Sequence, residues 1–217
     1  MLDPYTLLFA VPATFSILPH IRKVTYGFES FDMMGGIGNT SSIIAARNDF
    51  PVKTLAELIE FAKSKPDALT RSSAGVGSLG HVAGEVFLRQ AGISALHVPF
   101  KRSNDCVIGV VGGQVDFAVN NATLLQIKGG RVKGLAVLSD KAMPNSSVPS
   151  LPETGVTIRM SAAPFGVMAP HGTPKEVIMK LGKVTARGRA GAGSRGSLRA
   201  PGAIIAARLR AGACHPS

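Results

Sequence analysis

The chain has 217 residues, 45% of them hydrophobic and 17% charged, which supplies core material for one large or two small domains and excludes a disordered chain. Its apolar runs fall short of the roughly 20 residues that a helical membrane span requires. The net charge of +11 suggests nucleic acid, but six of those charges are arginines in the acid-free stretch 184–217, and the first 183 residues carry only +5, an ordinary surface.

The opening residues, MLDPYTLLFAVPATFSILPH, are apolar but include Asp3 and no basic n-region. They read as a buried strand over 6–9 and a loop around 12–14, not as a secretion signal. A second strand is expected over 41–46. Thr54 then caps a helix, Glu57 completes a capping box, and Leu55, Leu58, Ile59 and Ala62 form its apolar face. That helix stops before Pro66. Strands at 69–72 and 95–100 flank a helix over 79–90 that ends at Ala91-Gly92. A helix whose apolar part is 106–111 closes at Gly112-Gly113. Strands at 115–119 and 134–138 flank a short helix over 121–128. After the proline-rich loop 144–152 come a strand at 165–169 and a helix from 173 with Pro174 at its first position. Alternating strands and helices predict an α/β fold with a mostly parallel sheet.

From Val184 onward periodicity is lost. Ala, Gly and Arg make up 21 of the last 34 residues, and this tail is expected to be disordered. The composition is that of a GC-rich reading frame read out of phase, with a flexible basic linker as the alternative. Used as a nucleic-acid arm, the tail would bind nonspecifically and in a salt-sensitive way.

Few residues suggest catalysis. Cys106 and Cys214 are far apart and suggest neither a metal site nor a disulfide. His20, His81, His97, His171 and His215 are scattered, and no carboxylates pair at catalytic spacing. The chain is therefore expected not to be an enzyme and to carry no cofactor.

The most informative stretch is 71-RSSAGVGSLGHVAGEVF-87. Its GVGSLG matches the G-x-G-x-x-G of dinucleotide-binding loops, which would make the chain an NADP-dependent oxidoreductase. However, a polar TRSS precedes the loop where such loops follow an apolar strand. The next strand ends in Lys101, where an acidic residue would hold the ribose. The physics of an anion seat survives: small residues admit a ligand close to the backbone, and a helix start offers unpaired N–H groups. Ser72, Ser73 and Ser78 add hydroxyls, so the ligand expected is an anion such as a carboxylate. The alternative is a plain strand-to-helix connection with Ser78 as N-cap.

The order YTLL, a T-x-x-x-x-P-H loop, PVKTLAELIEFAKSKP, SSAGVGSLGHVAGEVF, HVPFK, GGQVDF, GLAVLS, VPSLPETG and FGVMAPHGTPKEVI resembles the extracytoplasmic solute-binding proteins of tripartite tricarboxylate transporters, the Bug family. The resemblance implies a two-lobed, type II periplasmic-binding-protein-like fold that closes over a small carboxylate and delivers it to membrane permease subunits. It implies a monomer in the periplasm with no specific nucleic-acid partner. The first lobe would comprise residues 1–40 and 161–183, and the second, 41–160, would carry the ligand loop. Carried over residue by residue, the ligand-binding set is Ser72, Ser73, Gly75, Gly77, Ser78, His81, Thr14 and Asn120. His81 would order the loop. Asn120 stands where an aspartate is usual and would alter selectivity, or it is simply a turn residue. Against the family pattern the first lobe lacks an opening strand and its closing helices, so it is expected to be incomplete and binding weak or absent. As written, with no leader, the chain would remain cytoplasmic.

Overall fold

The computed structural model describes residues 6–11, 15, 17–21, 23–160, 163–192 and 207–208. The chain divides into two compact units, Met1–Asn39 with Pro164–Ser217, and Thr40–Ala163. In chain order the elements are β1 Thr6–Ala10, α1 Leu18–Ile21, β2 Phe31–Thr40, β3 Ile43–Arg47, α2 Leu55–Ser64, β4 Thr70–Ser73, α3 Leu79–Ala91, β5 Leu96–Pro99, α4 Ser103–Val111, β6 Phe117–Val119, α5 Thr123–Lys128, β7 Val132–Val137, β8 Ala163–Pro170, α6 Lys175–Ala192 and β9 Ala207–Arg208. Among the described residues no helix is long and apolar enough to cross a membrane.

The first unit is built on a sheet of order β2-β8-β1-β9. β1 runs antiparallel to β8, pairing Leu8 with Met168 and Ala10 with Gly166. Ala10, Phe15 and Met168 form its small core, and the Phe15 ring meets Phe31 edge-on at 5.2 Å. Strand β2 was not expected from FDMMGGIGNT, since glycine weakens a strand pattern. Its use is steric: a Cβ on Gly166 of β8 would strike the Gly35 carbonyl of β2. Helix α6 also departs from expectation, continuing nine residues past Lys183 to Ala192, into the segment expected to be disordered. Alanine and arginine have high helix propensity, so an established helix propagates through them even where the apolar periodicity has vanished.

The second unit has the order β5-β4-β6-β3-β7. β4 lies parallel to both β5 and β6, whereas β3 is antiparallel to β6 and β7, so four strands point one way and β3 the other. Side chains alternate across the sheet. Ile44, Phe117 and Val119 face a core shared with α2 and α3, while Ala45 and Ala118 face Cys106 and Val110 of α4. With both faces covered, β3 has no polar side and its first four residues are all buried. The start of α2 differs in one detail from the expected capping box. Thr54 accepts from the Glu57 N–H at 3.2 Å, but the Glu57 carboxylate accepts from the Lys53 N–H at 2.6 Å, one residue before the cap.

Candidate anion site at the carboxyl ends of the parallel strands

Topology places the candidate site. From β4 the chain crosses by α3 to β5 on one side, then by α4 to β6 on the other. α3 packs on one face of the sheet and α4 on the other. β4 and its neighbour β6 thus form a switch point, where the connections leaving adjacent parallel strands diverge and open a crevice at their carboxyl ends. Two segments leave those ends: residues 74–78 after Ser73, and Asn120 onward after Val119.

The loop 74–78 is shaped by glycine. Gly75 and Gly77 have φ of +106° and +80°, conformations strained for any other residue. Ser78 then caps α3, its Oγ accepting from the His81 N–H at 3.2 Å, and the Ser78 N–H donates to the Gly75 carbonyl at 3.2 Å. Gly80 lets the helix start sit on the end of β6, where a Cβ would collide with the Val119 carbonyl oxygen. The N–H groups of Ala74, Gly75, Val76, Leu79 and Gly80 have no partner among the described residues. They open a 13-residue helix whose C-terminus is sealed by Gly92 at φ +64°, so the positive end of its dipole lies at the same place.

The expected site residues separate into two groups. Gly75, Gly77, Ser78 and His81 come together in the loop and the first turn of α3. The hydroxyls of Ser72 and Ser73 point inward. Strand alternation sends Ser72 to the α4 side, where its Oγ lies 3.2 Å from the Cys106 carbonyl and 3.1 Å from its Sγ. Ser73 faces the α3 side, its Oγ 2.7 Å from His97 Nε2 and donating to the Gly75 carbonyl at 3.2 Å. Among the described residues the Ser78 O–H has no acceptor, which leaves it able to donate to a ligand. Asn120 is buried and forms an Asx turn, its Oδ1 accepting from the Ala122 N–H at 2.9 Å, while its Nδ2 lies 3.7 Å from Cys106 Sγ. Thr14 lies outside the described residues.

Sequence reasoning missed what lies beneath the loop. Arg71 is completely buried, ion-pairs through Nη2 with Glu85 of α3, and has no acceptor for Nε or Nη1 among the described residues. Burial lowers its pKa against an unusually high reference, so it stays charged. Its guanidinium fits because Gly84 leaves room. His97 pairs in register with Arg71, and its ring lies against that of His81, with centroids 4.4 Å apart and planes tilted by 35°. Burial and the Arg71 charge lower both histidines, His97 to about 4. On the opposite face burial pushes the Cys106 thiol up, leaving it a neutral hydrogen-bonding group. The available signal was the alternation in TRSS, which sends Arg71 and Ser73 to one face, together with the i, i+4 spacing of His81 and Glu85. Among the described residues no cluster of three or more His, Cys, Asp or Glu is placed to hold a metal.

The site therefore offers neutral main-chain donors and one hydroxyl at a helix N-terminus, suited to an anion. Comparison with known proteins identifies the family. The profile of the tripartite tricarboxylate transporter family receptor, TctC, matches residues 2–199. A UPF0065 protein of Bordetella pertussis is 27% identical over 192 residues, covering 84% of this chain and 58% of that protein. An R. palustris protein solved with adipate is 28% identical with a TM-score of 0.76, over 85% of this chain and 63% of its own. MatC from Rhodopseudomonas palustris, with malate bound, is 27% identical with a TM-score of 0.67, over 76% and 58%. The chain thus spans less than two thirds of the length of these relatives. That family consists of transporter receptors of periplasmic type and is not an enzyme family, so the nicotinamide reading of GVGSLG finds no support there. By the profile match and the shared α/β fold, the chain belongs to the TctC family of tripartite tricarboxylate transporter receptors.

Proposed function

We propose that this chain is a solute-binding receptor for a small carboxylate, seated on residues 74–80. The observation that carries this reading is the set of unpartnered N–H groups at Ala74, Gly75, Val76, Leu79 and Gly80, gathered at a helix start on the sheet's switch point. Such a set recognises a carboxylate by geometry and by the dipole of α3, with no cation in direct contact. Val76, 58% exposed between the two glycines, gives the seat an apolar side for a methylene chain. Relatives solved with adipate and with malate carry ligands of this class. The setting that follows is the periplasm, with membrane permease subunits as the partners that receive the solute. Isothermal titration calorimetry with adipate and with malate tests the reading, with NADPH as the contrast. Saturable heat with a dicarboxylate supports it, and heat with NADPH alone overturns it.

A further inference from the structure

The loop is held from below by two histidines whose rings are in contact. His81 Nδ1 accepts from the Gly77 N–H at 3.3 Å, so its own proton sits on Nε2, which faces Glu85 Oε1 at 3.7 Å. Ser73 has a single O–H, and it donates to the Gly75 carbonyl. With that proton committed to Gly75, we assign the histidine as donor in the 2.7 Å contact between Ser73 Oγ and His97 Nε2. On this assignment each ring reaches one of the two left-handed glycines, His81 directly and His97 through Ser73.

We propose that His97 is a positioning residue for the carboxylate seat: through the Ser73 hydroxyl and the adjoining His81 ring it holds Gly75 and Gly77 in the conformation that presents the loop's free N–H groups. This rests on the carboxylate reading above and adds to it a residue outside the loop. The alternative state is concrete. A proton on His81 Nδ1 removes the acceptor of the Gly77 N–H. A second proton on His97 places two cations in contact beside Arg71. The charged and titratable groups facing the pair are Arg71 from β4 and Glu85 from α3. Burial and Arg71 keep both rings neutral near pH 7, so the clasp is closed where a receptor would work.

The test uses the full chain labelled with 15N, comparing the wild type with His97→Phe, which keeps a stacking ring without a donor, and His97→Gln, which restores a donor. Amide exchange is followed at Gly77 and Ser78, the two loop N–H groups that the clasp engages, alongside adipate titration. We expect His97→Phe to speed exchange at those two amides at least tenfold, with amides of β6 and α2 unchanged, and His97→Gln to recover most of the difference. If Phe and Gln variants behave alike, or if exchange rises equally across residues 40–163, His97 is merely structural and the proposal fails. Should His97→Phe not fold, a pH titration of the wild type decides. The Gly77 and Ser78 amide resonances must each titrate together with a histidine ring resonance, at midpoints below 6.5, and independence overturns the proposal. The two readings separate cleanly. No adipate or malate binding with a working clasp sinks the function alone, whereas binding that is indifferent to His97→Phe, with exchange unchanged, sinks the clasp alone.

Discussion

Removing Glu85 should harm this protein more than removing the arginine it pairs with. The Arg71 side chain has no solvent exposure, whereas the Glu85 side chain is 54% exposed. Glu85→Ala therefore leaves a guanidinium buried without its counter-ion, while Arg71→Met leaves a carboxylate that water can solvate. Breaking a fully buried pair from one side costs about 3–5 kcal/mol. Because water already reaches Glu85, we reduce this to about 2–3 kcal/mol for Glu85→Ala, or roughly 5–10 °C in Tm. Arg71→Met exchanges the guanidinium for a shorter, flexible apolar chain, for a cost of about 1 kcal/mol. The double variant should be no less stable than Arg71→Met alone, because the carboxylate no longer has a charge to neutralise. Urea unfolding followed by far-ultraviolet circular dichroism measures all three; the chain has no tryptophan to report by fluorescence. A lower midpoint for Arg71→Met than for Glu85→Ala would refute the reasoning, since the buried charge would then be stabilising in its own right.

Ser72→Ala should cost about 1 kcal/mol through the lost bond to Cys106 and leave dicarboxylate affinity within twofold by calorimetry, because that hydroxyl points into the unit. Gly80→Ala drives a methyl into the Val119 carbonyl oxygen and should lower the urea midpoint by the equivalent of about 2 kcal/mol or more while abolishing dicarboxylate binding. On acidification, His97 binds its proton at about 4 when folded and at about 6.5 when unfolded. The unfolded chain takes up more protons between those values, so the contribution is complete above pH 6.5 and is lost as pH falls toward 4. The urea midpoint of the wild type should therefore fall from pH 7 to pH 4.5 by more than that of His97→Phe. Limited proteolysis should leave a protected fragment close to residues 40–163, the unit with the larger core.

Much of the second unit was legible because its elements are locally consistent. The apolar spacing of Leu55, Leu58, Ile59 and Ala62, and the caps at Thr54, Ser78 and Gly92, act within one or two turns of chain, and the helices form where those signals lie. The mixed direction of the sheet was not legible, since nothing within IIAAR says that β3 will run against its neighbours. β2 was missed because its glycines serve a close approach to β8, a property of the partner strand. At the site the glycine loop and the helix start could be read from 71-RSSAGVGSLGHVAGEVF-87. The inward aim of Ser72 and Ser73 could not, because it depends on which face each helix covers. The same holds for His97, which reaches the loop only through the parallel pairing of β4 with β5.

The most direct measurement is a 15N chemical-shift titration of the full chain with adipate. We expect saturable shifts concentrated on the amides of residues 74–80, with Ser72 and Cys106 nearly unmoved. Saturable binding that leaves those amides in place and shifts a different part of the chain would contradict it.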